Sequence, residues 1–598
     1  MSLVDAEKTT GAALAEPHHD GSELYVVDRP DGLGGTAVVR LRAPRTAADR
    51  VLLRYVSDGE PRTVQADVDE RSGGETWWRA ELPVDNPVVR YRWLLAGGSS
   101  GYQWLNGRGL HPHDVSSGDD FVLPLETGAP DWHASSVVYE IFPDRFATTG
   151  VAANVKRPGW VVQREWDRLP EGRSRNTSRE LFGGDLPGIE QHLDHIESLG
   201  ANILYLTPFF PARSTHRYDA SSFDVVDPLL GGDSALRSLL AAAHARQMRV
   251  IGDLTLNHCG AGHEWFLRAE HSEDAPEREL FFFDGSPPLG YHCWLGVRSL
   301  PTFNWTSAEL RSRMGRVLAR WLEEGLDGWR IDVANMVGRY GAIDVNHEVA
   351  TLARALTGDR LLMAEHGHDF RPDLDGLGWH GVMNYSGFLR PTWWWLHRGK
   401  LEEDVFTEAP APVYDGRDAV SVMRAFRAGV PWDATVNSWT LLDSHDTARF
   451  RSVAPSRELH LVGIGLQMTT PGVPMIFAGD ELGLEGDWGE DSRRTMPWDR
   501  REAWDQTLLA EYKALIALRR SSDALARGGI RYVHVGEDAI AYLRETRGER
   551  ILCLAARAPH DPITVPFTGL ETLYGDDARN GVLPADGPAF HVWRISNG

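Results

Sequence analysis

The stretch Asp327-Gly-Trp-Arg-Ile-Asp332 decides how this chain is interpreted. Its apolar residues predict a buried strand, and Arg330 and Asp332 stand two positions apart, so both side chains lie on one face of that strand. Buried charge is costly unless it is paired or hydrogen-bonded. An Arg-Asp pair with no other evidence is more often a structural ion pair than a catalytic one. A catalytic role therefore has to be argued from the rest of the fold.

Two more acidic residues close strand-like segments further along the chain. Glu365 ends the apolar run Leu361-Leu-Met-Ala, and Asp446 ends Leu441-Leu-Asp-Ser-His. Three carboxylates at apolar strand tips indicate a site that holds negative charge around a reacting centre. Cleavage of a glycosidic bond needs such a set, because one carboxylate attacks while another carboxyl group protonates the leaving oxygen. From its segment alone, Glu365 would fit a turn or helix-cap acid about equally well.

Strand-like segments alternate with longer amphipathic segments from about residue 128, which is typical of parallel βαβ units. Eight segments are strand candidates: Val137–Phe142, Asn202–Thr207, Arg249–Leu254, Gly328–Asp332, Leu361–Glu365, Val382–Tyr385, Trp439–Asp443 and Met475–Gly479. Eight such units predict an α/β fold of the (β/α)8 TIM-barrel type, whose active sites lie at the carboxyl ends of the strands. The acids stand at those ends, so the barrel favours the catalytic interpretation.

Short alternating segments flank the predicted barrel on both sides. We expect an N-terminal β-sandwich over residues 1–127, of a carbohydrate-binding and dimerising type, and an antiparallel β domain over residues 521–598. The catalytic barrel would then span residues 128–520. Residues 259–304 follow the third strand and are too long for a simple loop, so they predict a small excursion that walls the site.

The composition excludes some kinds of binding partner. A formal net charge of −23 repels nucleic acid and anionic membranes, and it is compatible with a neutral sugar. The N-terminus shows no basic start followed by an apolar stretch, and three unpatterned cysteines suit a reducing compartment, so we expect a cytoplasmic protein.

The neighbours of the acids predict their roles. Arg330 beside Asp332 should lower the pKa of that carboxyl and orient it, as an ionised nucleophile requires. The apolar run before Glu365 should raise its pKa, as a general acid requires. A metal site built from the scattered histidines is the competing interpretation, but their spacing matches no zinc motif. Aromatic residues such as Trp294 are able to stack on sugar rings, although core packing is expected of most.

Together these motifs resemble the α-amylase family of glycoside hydrolases. Asp253-Leu-Thr-Leu-Asn-His258, Gly328-Trp-Arg-Ile-Asp-Val-Ala-Asn335, Ala364-Glu-His and Leu442-Asp-Ser-His-Asp446 stand in the order of that family's four regions. The resemblance implies that Asp332 is the nucleophile, Glu365 the acid/base and Asp446 the stabiliser of the transition state. The implied substrate contacts are Tyr218, His258, Arg330, His445 and Arg493.

Finer features resemble the cyclomaltodextrinase, neopullulanase and maltogenic amylase group, namely Tyr139-Glu-Ile-Phe-Pro-Asp-Arg-Phe146, Phe182-Gly-Gly-Asp-Leu186 and His216-Arg-Tyr-Asp219. That resemblance implies a homodimer that acts on a small α-gluco-oligosaccharide, with Tyr218 stacked under the sugar. The chain departs from the group at Met336, where Glu is common, and at Gly367, where Trp is common. The loop after Phe146 lacks the group's calcium-binding oxygens, so we expect no cofactor and no calcium ion there.

We therefore expect a retaining hydrolase of α-1,4 and also α-1,6 bonds in small cyclic or branched maltooligosaccharides, with the carboxyls of Asp332 and Glu365 about 5 Å apart. Two alternatives stay open within enzymes: an α-glucan transglycosylase, and an α-glucosidase on linear maltodextrins. A remote alternative is a non-catalytic glucan-binding scaffold, which has no need of clustered acids.

Overall fold

The computed structural model describes residues 16–72, 74–125, 128–174, 176–283, 285, 289–404 and 409–596. In chain order these residues form paired antiparallel sheets, a closed parallel barrel and a last antiparallel sheet. The predicted fold class, a (β/α)8 barrel between two antiparallel β regions, is confirmed. The domain boundaries after residues 127 and 520 stay predictions. Residues 1–15, 126, 127, 597 and 598 of the outer domains lie outside the described part.

The N-terminal region consists of ten strands in two sheets, ordered β1-β2-β6-β5 and β4-β3-β7-β8-β9, with β10 paired to β7. The strands are β1 Val26–Asp28, β2 Gly35–Pro44, β3 Arg50–Ser57, β4 Glu60–Gln65, β5 Asp67–Ser72, β6 Glu75–Val84, β7 Val88–Gly97, β8 Gly101–Asn106, β9 Gly109–His111 and β10 Phe121–Pro124. Side chains in β3 alternate between buried and more exposed positions, as one face of a sandwich strand requires. Leu53, Tyr91 and Trp93 lie in the core between the sheets.

The central region contains twelve strands, of which eight close the barrel in the order β11-β14-β15-β16-β19-β20-β21-β22. The strands are β11 Val138–Ile141, β12 Val162–Gln163, β13 Glu180–Leu181, β14 Ile203–Leu206, β15 Arg249–Thr255, β16 Gly328–Asp332, β17 Arg339–Tyr340, β18 Ile343–Asp344, β19 Leu361–Glu365, β20 Gly381–Met383, β21 Trp439–Leu441 and β22 Val473–Phe477. All eight predicted barrel strands are present. Because the barrel strands are parallel, their carboxyl ends meet at one rim.

Helices surround the barrel. They are α1 Pro143–Phe146, α2 Leu186–Gln191, α3 Leu193–Leu199, α4 Gly232–Ala245, α5 Glu264–His271, α6 Ala308–Glu323, α7 Asn346–Thr357, α8 Arg390–Leu396, α9 Gly416–Arg427, α10 Trp432–Asn437, α11 Phe450–Val453, α12 Arg457–Thr469, α13 Gly489–Ser492, α14 Gln506–Arg520 and α15 Asp523–Arg527. In α6 the Ser307 side chain accepts a hydrogen bond from Leu310 N and caps the helix. Leu310, Met314 and Trp321 form its buried stripe.

The excursion after β15 lies against the rim. It contains α5, and single antiparallel bridges join His258 to Thr302, at its two ends, and Cys293 to Pro301, across the turn that carries Trp294. These bridges bring residues from both ends of the excursion beside the carboxyl end of β15.

The C-terminal sheet is antiparallel, ordered β23-β24-β25-β27-β26. Its strands are β23 Gly529–Val535, β24 Ala539–Glu545, β25 Arg550–Ala556, β26 Leu570–Tyr574 and β27 Ala589–Ile595. Across the described parts of the chain, the structure contains no helix with the length and apolarity needed to span a membrane.

Candidate active site

Asp332 and Glu365 end neighbouring barrel strands and share one cation. Arg330 lies on the same face of β16 as Asp332, and its Nη1 donates to Asp332 Oδ1 at 3.0 Å. Its Nη2 lies 3.1 Å from Glu365 Oε1. The side chain of Arg330 is fully buried. One planar guanidinium therefore holds both carboxyl groups, and it fixes their relative positions.

The charge balance around Asp332 differs from the sequence prediction. Burial raises the pKa of Asp332 well above its ordinary value, and the negative charge of Glu365 raises it further, which outweighs the opposing effect of Arg330. Arg330 does lower this pKa, as predicted, but burial and the charge of Glu365 have the larger effect. The surroundings of Asp332 therefore favour its protonated form more than water does for an isolated Asp.

Glu365 was expected in an apolar setting, and the structure differs. Its Oε1 faces Arg330, and its Oε2 accepts a hydrogen bond from Val333 N at 2.7 Å. Val333 has φ +38°, a left-handed conformation that is strained for a β-branched residue. Such strain often occurs at functional sites, where surrounding contacts stabilise it. Here the conformation aims a backbone N–H at Glu365.

Asp446 lies at the end of the seventh barrel unit between two cations. Arg493 Nη2 donates to Asp446 Oδ1 at 2.8 Å, and His445 Nε2 lies 3.2 Å from Asp446 Oδ2. Loss of solvent by itself would raise the pKa of Asp446, but His445 and Arg493 outweigh it and hold this pKa well below its usual range. Asp446 is thus ionised at neutral pH.

His445 is a buried cation. Burial alone would lower its pKa, but Asp446 and Glu140 outweigh burial and raise the pKa of His445 to about 10. Its Nδ1 bonds to Glu140 Oε1 at 2.5 Å, and its Nε2 lies 2.7 Å from the Tyr218 hydroxyl. The rings of Tyr218 and His445 stack with centroids 5.7 Å apart. The ring of His216 also stacks on Tyr218, with centroids 5.8 Å apart, and the Tyr218 side chain is half-buried.

His258 lies beside the nucleophile candidate, with Nε2 3.8 Å from Asp332 Oδ2. Burial lowers the pKa of His258 to about 3, so the ring is neutral. All eight residues predicted for the site lie at this rim. Each of them contacts another of the eight, or contacts a residue that one of the others also contacts. Their individual roles stay predictions.

Two buried acids in the site had no predicted role. Asp253 accepts from Arg330 Nη1 at 3.0 Å and from the hydroxyls of Tyr205 at 2.6 Å and Tyr218 at 2.9 Å. Glu140 is the buried partner of His445. Both residues stand inside motifs that the sequence analysis quoted. Their acidic type at buried strand positions was the available signal.

The loop after Phe146 is tied by protein hydrogen bonds. Asp185 accepts from the backbone N–H groups of Thr149 at 2.8 Å and Val151 at 3.3 Å, and from the Thr149 hydroxyl. These N–H and O–H groups already bind the Asp185 carboxylate that a calcium ion would need as a ligand. The residues of this loop therefore do not fit a calcium site. Among the described residues no three His, Cys, Asp or Glu side chains are grouped as metal ligands.

One of the two departures from the resembled group, Gly367, follows Glu365 by two residues. A Cβ added to Gly367 would meet no atom within 4 Å, so the space that a larger side chain would enter is open. His366, between Glu365 and Gly367, lies 3.1 Å from Asp373, which Arg339 binds through two nitrogens. The loop that carries Glu365 is therefore tied to the loop after β16.

Comparisons with known proteins agree with this geometry. The family described as alpha amylase, catalytic domain, matches residues 140–375. Neopullulanase 2 of Thermoactinomyces vulgaris is 33% identical over 530 residues, covering 84% of this chain and 84% of that protein. Intracellular maltogenic amylase of Bacillus subtilis is 30% identical over 536 residues, covering 86% and 85%. The structure of cyclic α-maltosyl-(1→6)-maltose hydrolase from Arthrobacter globiformis, in complex with cyclic α-maltosyl-(1→6)-maltose, matches with a TM-score of 0.64 and 32% identity. This match covers 73% of this chain and 93% of that one.

Proposed function

The chain belongs to the α-amylase family and is a glycosidase, and from this premise we propose that it hydrolyses α-glucosidic bonds of small cyclic or branched maltooligosaccharides with retention of configuration. The observation that carries the proposal is the pair of carboxyl groups, Asp332 and Glu365, held by the single guanidinium of Arg330. A retaining mechanism needs two carboxyls close together, about 5 Å apart, with one proton between them, and a shared guanidinium is compatible with that.

We infer these roles for the pair. Asp332 attacks the anomeric carbon and forms a glucosyl ester, while Glu365 gives its proton to the departing glycosidic oxygen. Glu365 then takes a proton from water, whose oxygen attacks the same carbon and releases Asp332. Two inversions at one carbon leave the original configuration.

Other residues of the site would bind the sugar and stabilise the transition state. Asp446, ionised between His445 and Arg493, is suited to hold sugar hydroxyls and to stabilise positive charge that develops at the ring. The half-buried ring of Tyr218 suits stacking under the glucosyl ring. His258 and Arg330 complete the subsite in which the bond breaks.

The substrate class rests on the relatives. One relative is a neopullulanase, and another binds a cyclic maltosyl tetrasaccharide that contains α-1,6 bonds. A small cyclic or branched α-glucan with α-1,4 and α-1,6 linkages therefore fits this chain. One second candidate is transglycosylation, in which an acceptor sugar would take the place of water in the open space beside Glu365.

We also propose a cytoplasmic homodimer. A relative is named an intracellular amylase, and the net charge of −23 fits a neutral small substrate. Sedimentation velocity of the purified chain tests the dimer, and a single species at the monomer mass of 66.6 kDa would contradict it.

Product analysis tests the activity. The purified chain is incubated with cyclodextrins, pullulan, panose, linear maltodextrins and a mixed-linkage cyclic tetrasaccharide, and proton NMR follows the first products. We expect α-anomers and the highest kcat/KM on a small cyclic or branched substrate. First products of β configuration, or faster turnover of soluble starch than of every small cyclic glucan, would refute the proposal.

A further inference from the structure

Four polar side-chain atoms at the end of β15 lack a hydrogen-bond partner among the described residues. They are Thr255 Oγ1, His258 Nε2, Trp294 Nε1 and Thr302 Oγ1. These residues are neighbours in space. Thr255 pairs in register with Asp332, Thr302 bridges to His258, and the ring centroids of His258 and Trp294 lie 5.9 Å apart. We call these four residues the polar cluster.

Such a cluster needs an explanation, because folded proteins pair nearly all of their buried polar groups. Other described residues also carry such atoms, and some of these lie near one another, as at Ser22 and Tyr25. Four of them side by side, next to a candidate nucleophile, indicate groups whose partner is a ligand.

Two ring nitrogens of the polar cluster face the site without a hydrogen-bond partner among the described residues. The other nitrogen of His258, Nδ1, lies 3.2 Å from Asn257 Nδ2, so Nε2 is the atom left for a ligand. This Nε2 is 3.8 Å from Asp332 Oδ2, which is too long for a hydrogen bond. The indole N–H of Trp294 can only donate. Both ring nitrogens therefore need a partner, and a sugar hydroxyl is able to donate as well as to accept a hydrogen bond.

The excursion holds Trp294 in this position. Trp294 N donates to Leu300 O at 2.9 Å, and Thr302 N donates to His292 O at 3.1 Å, so the two sides of the turn are paired. The residue after Trp294, Leu295, has φ +46° and is 72% exposed. The tip of the turn thus points to solvent, while the half-buried Trp294 ring stays at its base beside His258.

We propose that Trp294 is a substrate-binding residue whose indole N–H, with His258 Nε2 and the Thr302 hydroxyl, binds hydroxyl groups of the glucosyl residue beside Asp332. The inference rests on the proposed function, because it takes an α-gluco-oligosaccharide as the ligand. It assigns to the excursion a direct part in recognising the sugar. A ring with a different hydroxyl arrangement would leave these groups unpaired, so the polar cluster would also discriminate between sugars.

The test removes the indole N–H and keeps an aromatic ring. Trp294→Phe is compared with Trp379→Phe, a matched control, since Trp379 Nε1 also lacks a partner among the described residues. Trp379 is buried before β20, at the opposite end of the barrel from the acids. Circular dichroism and thermal unfolding show whether each variant is folded. For Trp294→Phe we expect kcat/KM to fall about 3- to 10-fold, mainly through KM. The Trp379→Phe variant should keep the parent's kcat/KM.

Monodeoxy substrates give a readout that a structural role would not change. The parent and Trp294→Phe are assayed with maltooligosaccharides that lack one hydroxyl of the reacting ring. With the parent enzyme, removing one particular hydroxyl from the substrate should lower kcat/KM. With Trp294→Phe, removing the same hydroxyl should change kcat/KM very little, because the N–H that binds it is already absent. Equal deoxy penalties in parent and variant, or parental kcat/KM for Trp294→Phe, would overturn the inference alone. A parent that hydrolyses no α-glucan would overturn the proposed function as well.

Discussion

Arg449 Nε donates a hydrogen bond to the backbone carbonyl of Ser492 at 3.0 Å. The same buried guanidinium donates to the carbonyls of Phe477 and Ala478 and to the Asp480 carboxylate, at 2.7 to 3.1 Å. Arg449 follows Asp446 by three residues, and Ser492 directly precedes Arg493. One side chain therefore fixes the two loops that carry the Asp446–Arg493 ion pair.

Replacing Arg449 by Lys should disturb that ion pair. An ammonium group keeps the charge but lacks the planar fork, so it cannot bind all four acceptors. A shift of about 1 Å in a catalytic group is able to reduce the rate on the order of 100-fold, and we expect kcat/KM to fall 10- to 100-fold. Steady-state kinetics on a maltooligosaccharide measures the effect.

Arg519→Lys is the matched control for this variant. Arg519 is equally buried and donates only to backbone carbonyls, those of Met468, Leu525, Ala134 and Gly472, at the other end of the barrel. Both variants should lose stability, and only Arg449→Lys should lose activity per folded molecule. Equal activity of the two folded variants would show that Arg449 has no positioning role.

A second prediction concerns pH and stability. The pKa of His445 is raised to about 10 in the folded chain, against about 6.5 when unfolded, so the folded state binds the proton more tightly. The stabilisation is fully present below pH 6.5 and is lost as pH rises toward 10. The difference in free energy of unfolding between the parent and His445→Gln should therefore shrink over that range. Denaturant unfolding at a series of pH values measures it, and a difference that is constant from pH 6 to 10 would contradict the charged state of His445.

The sequence predicted the barrel because its strands carry their own signals. Apolar runs of strand length alternate with helical segments, and the spacing of Arg330 and Asp332 fixes which side chains share a face. Strand ends were less accurate. The sixth strand was predicted to continue to Tyr385 but ends at Met383, because Asn384 caps a π-helix that begins at Tyr385. The eighth ends at Phe477, since Gly479 takes a left-handed φ of +106°.

The electrostatics of the site could not be predicted from local sequence. Arg330 contacts Asp253, which is 77 positions away in sequence, as well as Asp332 and Glu365. The positive charge that Asp332 receives depends on those partners, which only the closed barrel brings together. The setting of Glu365 depends likewise on the left-handed turn at Val333. Residue type and strand position thus predicted which acids to consider, and the fold sets the surroundings on which their protonation depends.

A third prediction separates the roles of the two acids. A fluoride leaving group needs no proton, so Glu365→Gln should lose about 100- to 10,000-fold in kcat/KM on maltotriose and far less on α-maltosyl fluoride. Asp332→Asn removes the attacking oxygen, and its loss should be large on both substrates. The control variant is Glu309→Gln, which changes an exposed acid on α6 to the corresponding amide and should keep the parent's activity on both substrates. An Asp332→Asn variant that digests maltodextrins at the parent's rate would refute the assignment.

The last prediction concerns the open space beside Glu365. Gly367 has an ordinary backbone conformation, and a Cβ there would touch nothing within 4 Å, so Gly367→Trp should fold with little loss of stability. An indole at this position would cover the acceptor side of Glu365 and give a sugar acceptor a surface to stack on. We expect a larger share of transfer products at high maltose, and a changed ratio of kcat/KM between linear and cyclic substrates.

Gly367→Ala, which adds only the Cβ, should keep the parent's product distribution. Chromatography of the products measures both variants, and an unchanged distribution in Gly367→Trp would mean that this space lies outside the acceptor site.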